Sequence, residues 1–371
     1  MTNQKHVLLL MLLLTIQIPA RPALAQYSIY WGDMHGHTSI SDGKGSLDDY
    51  FTYARDVAKL DFVVVSDHDF GNSAPWRMPK EVWKLTQDKA DQYTVAGTFV
   101  GIAGYEWTSQ PKYWTPEELL FSGPPRYYNH KNVYFPDRVA YLFSAKDAAY
   151  KSPNRLAYAV LKHGGLIHNN HPATNIEGRD QFDYDPACCS VIVNTEMLPD
   201  TIYHSGKTYA LHTERTLRDF LNKGGKTGFV GSTDTHEGRP EPKTAVLATE
   251  LTRPAIFEAL RHRRNYAVLG AKIVLDFRIN GHFMGEEIEI KGTPRILVDV
   301  KGTDKIEEVT IVRDGSTLHS LSPGTRNMRL EYVDYSFRGS SYYYLRVIQA
   351  GKDEHGNRSC AWSSPIWVKG K

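Results

Sequence analysis

Cysteine is scarce in this chain: three residues in 371, at Cys188, Cys189 and Cys360. That excludes a disulfide framework as the basis of the fold. Adjacent cysteines such as Cys188 and Cys189 are poorly placed to bridge each other, because the small ring strains the peptide between them. A link from either to Cys360 is left open. A surplus of one charge is also missing. There are 44 Lys and Arg against 42 Asp and Glu, and setting aside Lys5 and Arg21 of the leader makes the balance even. No broad basic field draws in nucleic acid. Long apolar runs are limited to Val7–Ile18, shorter than the roughly 20 residues of a membrane span. Lys5 precedes that run and Ala23-Leu24-Ala25 follows it. Residues 1–25 therefore read as a secretory signal peptide, with an uncleaved anchor as the alternative. The expectation is an exported chain, periplasmic or extracellular, with no stable membrane insertion after cleavage. Internal repeats, low-complexity tracts, a Ser-His-Asp order, a Cys nucleophile and a Gly-rich phosphate loop are all absent.

Histidine is plentiful, with fifteen residues. Their placement follows the secondary-structure pattern. Ser28–Met34 reads as a strand, Ser46 as a helix cap followed by Asp48 and Asp49, and Asp61–Ser66 as a covered parallel strand. Trp76–Tyr93 reads as helix and Thr98–Gly104 as a third strand. Trp107–Tyr128 is a long segment rich in Pro, Tyr and Trp, of the kind that is usually functional or mobile. Strands are predicted at Lys131–Phe135, Leu166–Asn169, Ser190–Asn194 and Lys226–Ser232, and helices at Pro153–His163, Thr213–Lys223 and Pro254–Arg263. About seven β-α units in succession argue for an α/β barrel with a parallel sheet. From residue 271 the pattern becomes short strands with hairpin signals at Asn280-Gly281 and Asp314-Gly315. The expected organisation is thus residues 27–270 as a hydrolase-sized barrel and 271–371 as a small antiparallel β module.

Strand ends carry the chemistry. "WGDMHGHTSISDG" places His35 and His37 after the first strand, on one side of an extended segment. His68 follows the second, Glu106 the third, His168 and His171 the fifth, Glu196 the sixth, and Asp234 and His236 the seventh. In a β/α barrel these ends meet at one mouth. Crowded carboxylates need cations to neutralise them, and imidazole with carboxylate suits Zn, Mn or Fe.

"GDMHGHTSISDG", "VSDHD", "GYEWT", "HPA" and "GSTDTH", in that order, resemble the polymerase-and-histidinol-phosphatase (PHP) superfamily. "FEALRHRRNYAVLGAKIVLDFRINGHFMG" is similar to a secreted branch of it of unknown function. The resemblance implies a distorted seven-stranded β/α barrel, TIM-like, with two or three divalent transition-metal ions. On its pattern His35, His37, Glu106 and Asp234 hold one ion. Glu106 is shared with a second, also bound by His130 and His171, while Asp42, His68 and His236 hold a third. His130 enters only through this pattern, since it precedes its strand. His168 competes with His171, and the His-Pro pair favours His171. Glu196 is expected beside the ligands or at the mouth.

Clustered dications generate a hydrolytic nucleophile from water and offset charge on phosphoryl oxygens. The expected activity is a metal-dependent hydrolase, a phosphoesterase acting on a small molecule, with Asp234 and Glu106 in the catalytic machinery. Arg239 is a candidate for gripping a substrate phosphate, against a solvated loop arginine, and Arg126 has the same standing. Tyr127, Tyr128, Trp107 and Trp114 either line a pocket or pack the long loop. Hydrolysis of an amide, lactone or other ester is the alternative chemistry. A metal-bearing binding module without catalysis is the alternative class.

Overall fold

A computed structural model describes residues 27–69, 77–109, 127–172, 181–199, 201–204, 207–210, 213–353 and 355–371. The leader, Arg126 and Trp114 lie outside the described residues. No helix among those described is long and apolar enough to cross a membrane.

The N-terminal part carries strands β1 (Ser28–Asp33), β2 (Phe62–Val65), β3 (Val100–Ser109), β4 (Asn129–Tyr134), β5 (Leu166–Asn169), β6 (Ile192–Glu196), a hairpin of β7 (Thr201–His204) and β8 (Lys207–Ala210), β9 (Gly228–Val230), β10 (Thr244–Ala248) and β11 (Asn265–Leu269). Helices run over Leu47–Thr52, Lys80–Tyr93, Pro153–Leu161, Thr213–Asn222 and Arg253–Arg261. The Ser46 hydroxyl accepts from the Asp49 N–H while Asp49 reaches back to the Ser46 N–H, which closes the first helix start from both sides. β2 and β5 are buried on every residue; the unbroken apolar run of β2 is that of a strand covered on both faces, whereas β5 also buries His168 and Asn169.

The sheet order is β10-β1-β2-β3-β4-β5-β6-β9. The parallel pairing expected from the sequence holds for β1-β2-β3 and for β5-β6-β9, but β4 runs antiparallel to both its neighbours. An antiparallel return between neighbouring strands needs no helical crossover. β10 and β11 are strands where none was expected. Their short Ala-containing runs, TAVLA and NYAVL, carry little period-2 signal. β10 pairs antiparallel with β1, Ser28 opposite Ala248.

The C-terminal part comprises β12 (Val274–Ile279), β13 (His282–Phe283), β14 (Glu287–Ile290), β15 (Arg295–Lys301), β16 (Ile306–Arg313), β17 (Ser316–Leu321), β18 (Asn327–Val333), β19 (Ser340–Lys352), β20 (Arg358–Ser363) and β21 (Ile366–Gly370). β13-β12-β15-β18 form a separate four-stranded antiparallel sheet. Asn280-Gly281 and Asp314-Gly315 have positive φ at both turn residues, the requirement of a tight type I′ hairpin. The remaining strands join the large sheet, because β20 pairs with β11, Ala267 opposite Trp362. One apolar cluster accordingly contains Leu247 and Tyr266 together with Phe277, Val298, Ile311 and Val347. The three cysteines are buried free thiols.

Candidate metal centre

The segments that follow the strands hydrogen-bond to one another and so fix the side chains they carry. The His37 N–H donates to Thr235 O at 2.8 Å and the Asp234 N–H to His35 O at 3.1 Å. The Glu106 N–H donates to Asp67 O at 3.0 Å, and the Asn170 N–H to His130 O at 3.1 Å. Buried carboxylates tie the loops further. Asp67 accepts from the N–H and hydroxyl of both Thr38 and Ser41 at 2.7–3.1 Å. Gly43 lies so close to His37 that a Cβ there would sit 2.5 Å from the His37 carbonyl carbon. Only glycine lets the 38–45 loop turn back against that histidine.

The predicted ligands converge. His35 Nε2 lies 3.1 Å from His37 Nε2, 3.2 Å from Asp234 Oδ1 and 3.4 Å from Glu106 Oε1. His37 Nε2 is 3.1 Å from the same Asp234 oxygen. At Glu106, His130 Nδ1 is 2.9 Å and His171 Nε2 3.6 Å from the same Oε1, and His68 Nδ1 is 2.8 Å from Oε2. Nearer the surface, Asp42 lies 3.5 Å from His68 Nε2, 3.4 Å from His236 Nε2 and 3.7 Å from His37 Nδ1. Four groups bring their donor atoms within 4.8 Å of one another: His37-Asp42-His68-His236, His35-His37-Glu106, His68-Glu106-His130 and His35-His168-Glu196.

This donor set fits divalent ions. A tetrahedral ion with bonds of about 2.0–2.1 Å separates its ligands by roughly 3.3–3.4 Å. The contacts among His35, His37, Asp234 and Glu106 fall close to that spacing. One shared proton explains a single such contact but not several atoms facing a common centre. His130 Nε2 is moreover buried with no hydrogen-bond partner, a cost that buried polar atoms seldom bear.

The electrostatics point the same way. Burial alone opposes ionising Glu106, yet His130, His68 and His35 hold its pKa well below the usual carboxylate range. Burial also opposes charge on His35, and Asp234, Glu106 and Glu196 nevertheless carry it well above the ordinary imidazole value. Asp42 is lowered despite partial burial, by His236 and His68, and raises His236 in turn to about 8. His130 falls to about 4 through burial, which Glu106 only partly offsets.

His130 shows why strand-end reasoning passes over one candidate. β4 is reversed, so its first residues lie where the other strands end, with His130 opposite Thr108 of β3. Asn129, directly before it, has φ 59°, while His171 and Asp234 have φ 27° and 50°. Asn, His and Asp are the side-chain-bearing residues that tolerate such a left-handed backbone best, and here it redirects the chain at three points around the cluster. The sequence reading also passed over Asn170, whose Nδ2 donates to Glu106 Oε1 at 2.7 Å and to Asn132 Oδ1 at 2.9 Å. Its only sequence signal is its position between His168 and His171.

Arg239 is exposed, on the loop that carries His236, and its backbone N–H donates to Thr235 Oγ1 at 3.3 Å. Trp107 is fully buried and its Nε1 donates to Tyr150 O at 3.1 Å, so it packs the interior. Tyr127 stands edge-on to His130 at 6.4 Å between ring centres. His168 is buried, with Nε2 3.3 Å from Glu196 Oε1 and its ring beside Tyr134.

No family model matches the chain. An uncharacterized protein of Chlamydia trachomatis is 27% identical over 372 residues, covering 92% of this chain and 57% of that protein. One of Chlamydia pneumoniae is 25% identical over 380 residues with the same coverage. The chain thus spans a little over half the length of these relatives. Among solved structures, a two-domain protein from Bacteroides vulgatus, described as containing a predicted PHP-like metal-dependent phosphoesterase, aligns with 94% of this chain and 97% of its own, at 15% identity and TM-score 0.47. Fibronectin(III)-like modules of Clostridium thermocellum CbhA align with 26% of this chain and 93% of their own, at 15% identity and TM-score 0.16.

Proposed function

We propose that this chain is an exported metal-dependent hydrolase, most simply a phosphoesterase of small molecules. Its N-terminal strands would act as a distorted seven-stranded barrel of the PHP type. The observation that carries the reading is the buried Glu106 carboxylate, which stands between donor groups on both of its oxygens. His35, His37, Asp234 and Glu106 would hold one ion, Glu106, His130 and His171 a second, and Asp42, His68 and His236 a third. When bound, such ions supply a hydrolytic nucleophile at neutral pH and offset charge on phosphoryl oxygens.

The chain's own residues prepare that chemistry. Glu106 places one anion among the imidazoles of two donor groups, those of His35 and His37 and of His68 and His130. Asp234 sits on a left-handed backbone, which turns its carboxylate toward His35 and His37. Its side chain is half-exposed, so a substrate would reach the centre past it. Asp67 and Ser41 hold the 38–42 loop so that Asp42 stays over His68 and His236. Arg239, exposed on the same loop as His236, is available to a phosphate bound at the mouth.

Elemental analysis of purified full-length protein, paired with turnover of phosphomonoester and phosphodiester probes, tests the reading. Two or three tightly held transition-metal ions per chain and phosphate release are expected. Less than one ion after reconstitution refutes the metal centre. Full occupancy with ester or amide turnover but no phosphoester turnover moves the chemistry to the alternative substrate class.

A further inference from the structure

We infer that Glu196 is a positioning residue that couples two of the proposed ion sites, one carboxylate oxygen fixing His35 and the other fixing His171. The inference rests on the metal reading above and extends it to a residue outside the proposed ligand set. Glu196 ends β6 and is 1% exposed. Its Oε1 lies 2.8 Å from His35 Nδ1 and 3.3 Å from His168 Nε2. Its Oε2 accepts from the His171 backbone N–H at 2.6 Å.

These contacts act differently on the two histidines. A carboxylate on Nδ1 keeps a proton there, which leaves the Nε2 lone pair of a neutral His35 directed at His37, Asp234 and Glu106. At His171 the grip is on the backbone. With φ 27° this residue occupies a conformation that side-chain-bearing residues rarely adopt. The hydrogen bond to Oε2 holds it there, with its ring stacked 6.0 Å from His35 and its Nε2 3.6 Å from Glu106. His35 belongs to the ion site with Asp234, and His171 to the site with His130. One buried carboxylate therefore sets a ligand in each.

Both of its main partners are donors, and that defines the test. Glutamine at this position offers one oxygen and one amide NH2. Either His35 faces the NH2 and is pushed to the opposite tautomer, or His171 loses its acceptor. Aspartate keeps the charge but is about 1.5 Å shorter, too short to serve both partners. Stepwise Zn2+ affinities of the metal-free full chain are measured by competition with a chromophoric chelator, for the parent, Glu196→Gln and Glu196→Asp. Melting of each metal-free protein is followed alongside. The expected result is a metal-free protein that still melts in one cooperative transition, two ions weakened by about ten- to a hundredfold, and one ion unaltered. The unaltered ion is assigned as the one lost in Asp42→Asn. Affinities within threefold of the parent, or weakening of one ion alone, overturn the coupling. If Glu196→Gln fails to fold, the charge-conserving Glu196→Asp is read by the same criteria. A parent that binds no ion overturns the metal reading itself, an outcome distinct from a parent that binds normally and a variant that binds equally well.

Discussion

Replacing Glu106 with glutamine tests the centre most directly. The side chain is 1% exposed and meets His130, His68 and Asn170 at 2.9, 2.8 and 2.7 Å. Glutamine keeps the volume and removes the charge. Its carbonyl can still accept from Asn170, but its NH2 then faces imidazole. Two donor groups, one with His35 and His37 and one with His68 and His130, lose their shared anion. A charge-assisted contact is worth about 1.5–3 kcal/mol. Losing one in each group comes to roughly 3–6 kcal/mol, which is about a hundredfold to ten-thousandfold in affinity at 1.4 kcal/mol per decade. Metal content, circular dichroism and phosphoester turnover should be read on one preparation. Glu331→Gln on exposed β18 is the control. The expected outcome is a folded protein with most of its metal lost and turnover down at least about a hundredfold. Full metal content with turnover within a few-fold of the parent refutes the shared-ligand role of Glu106 and the ligand scheme built on it.

Asp67→Asn keeps Oδ1 for three of the four donors of Thr38 and Ser41 but sets an NH2 against the Thr38 hydroxyl and removes the charge from all four bonds, so stability should fall by about 2–3 kcal/mol on charge-assisted hydrogen-bond values; an unchanged urea midpoint would contradict that anchoring. A chain ending at Gly270 leaves β11 without β20 and opens the apolar cluster shared by Tyr266 and Phe277, so it should aggregate on gel filtration, whereas a soluble monomer of full activity would refute the packing. Lys131 is fully buried, and burial lowers its pKa from 10.5 to about 7. Between those values the unfolded chain binds the proton and the folded one does not, so this residue makes metal-free stability rise with pH by up to about 1.4 kcal/mol per unit. Lys131→Met should lack that rise, and parallel stability–pH curves for the two proteins would count against it.

The sequence was most legible where local rules act alone. Ser46 capped its helix and the two Xaa-Gly turns formed hairpins because caps and left-handed turns depend on a few adjacent residues. The convergence of His35, His68 and Asp234 was legible because each follows a strand that pairs in parallel with a neighbour, and Glu106 lies past the predicted end of the third strand, within a β3 that runs on to Ser109. His130 was not, because its placement depends on the reversal of β4, and nothing within "NHKNVYF" encodes the direction of β3 beside it. β10 and β11 escaped for a related reason. Their stability comes from β1 and β20, which lie far from them in sequence, rather than from their own side-chain periodicity.

The reversal of β4 also bears on how the site is held. If ligands depended only on strand ends, a reversed strand would leave a gap in the ring between Glu106 and His171. Instead β4 brings its N-terminal residue to that place. The left-handed Asn129 redirects the chain there, with its Nδ2 donating to Asn170 O at 3.1 Å and to Gln181 Oε1 at 3.2 Å. His130 then reaches Glu106 Oε1, the oxygen that His35 also approaches. Asn132, two residues on and on the same face of β4, accepts from Asn170 and donates to Met34 O at 3.0 Å. A strand entering from the wrong direction is thereby tied to β1 on one side of the cluster and to the segment after β5 on the other. The ligand geometry follows from these cross-strand bonds at the mouth as much as from the ligands, and so a positioning residue such as Glu196 can influence two ion sites without touching either ion.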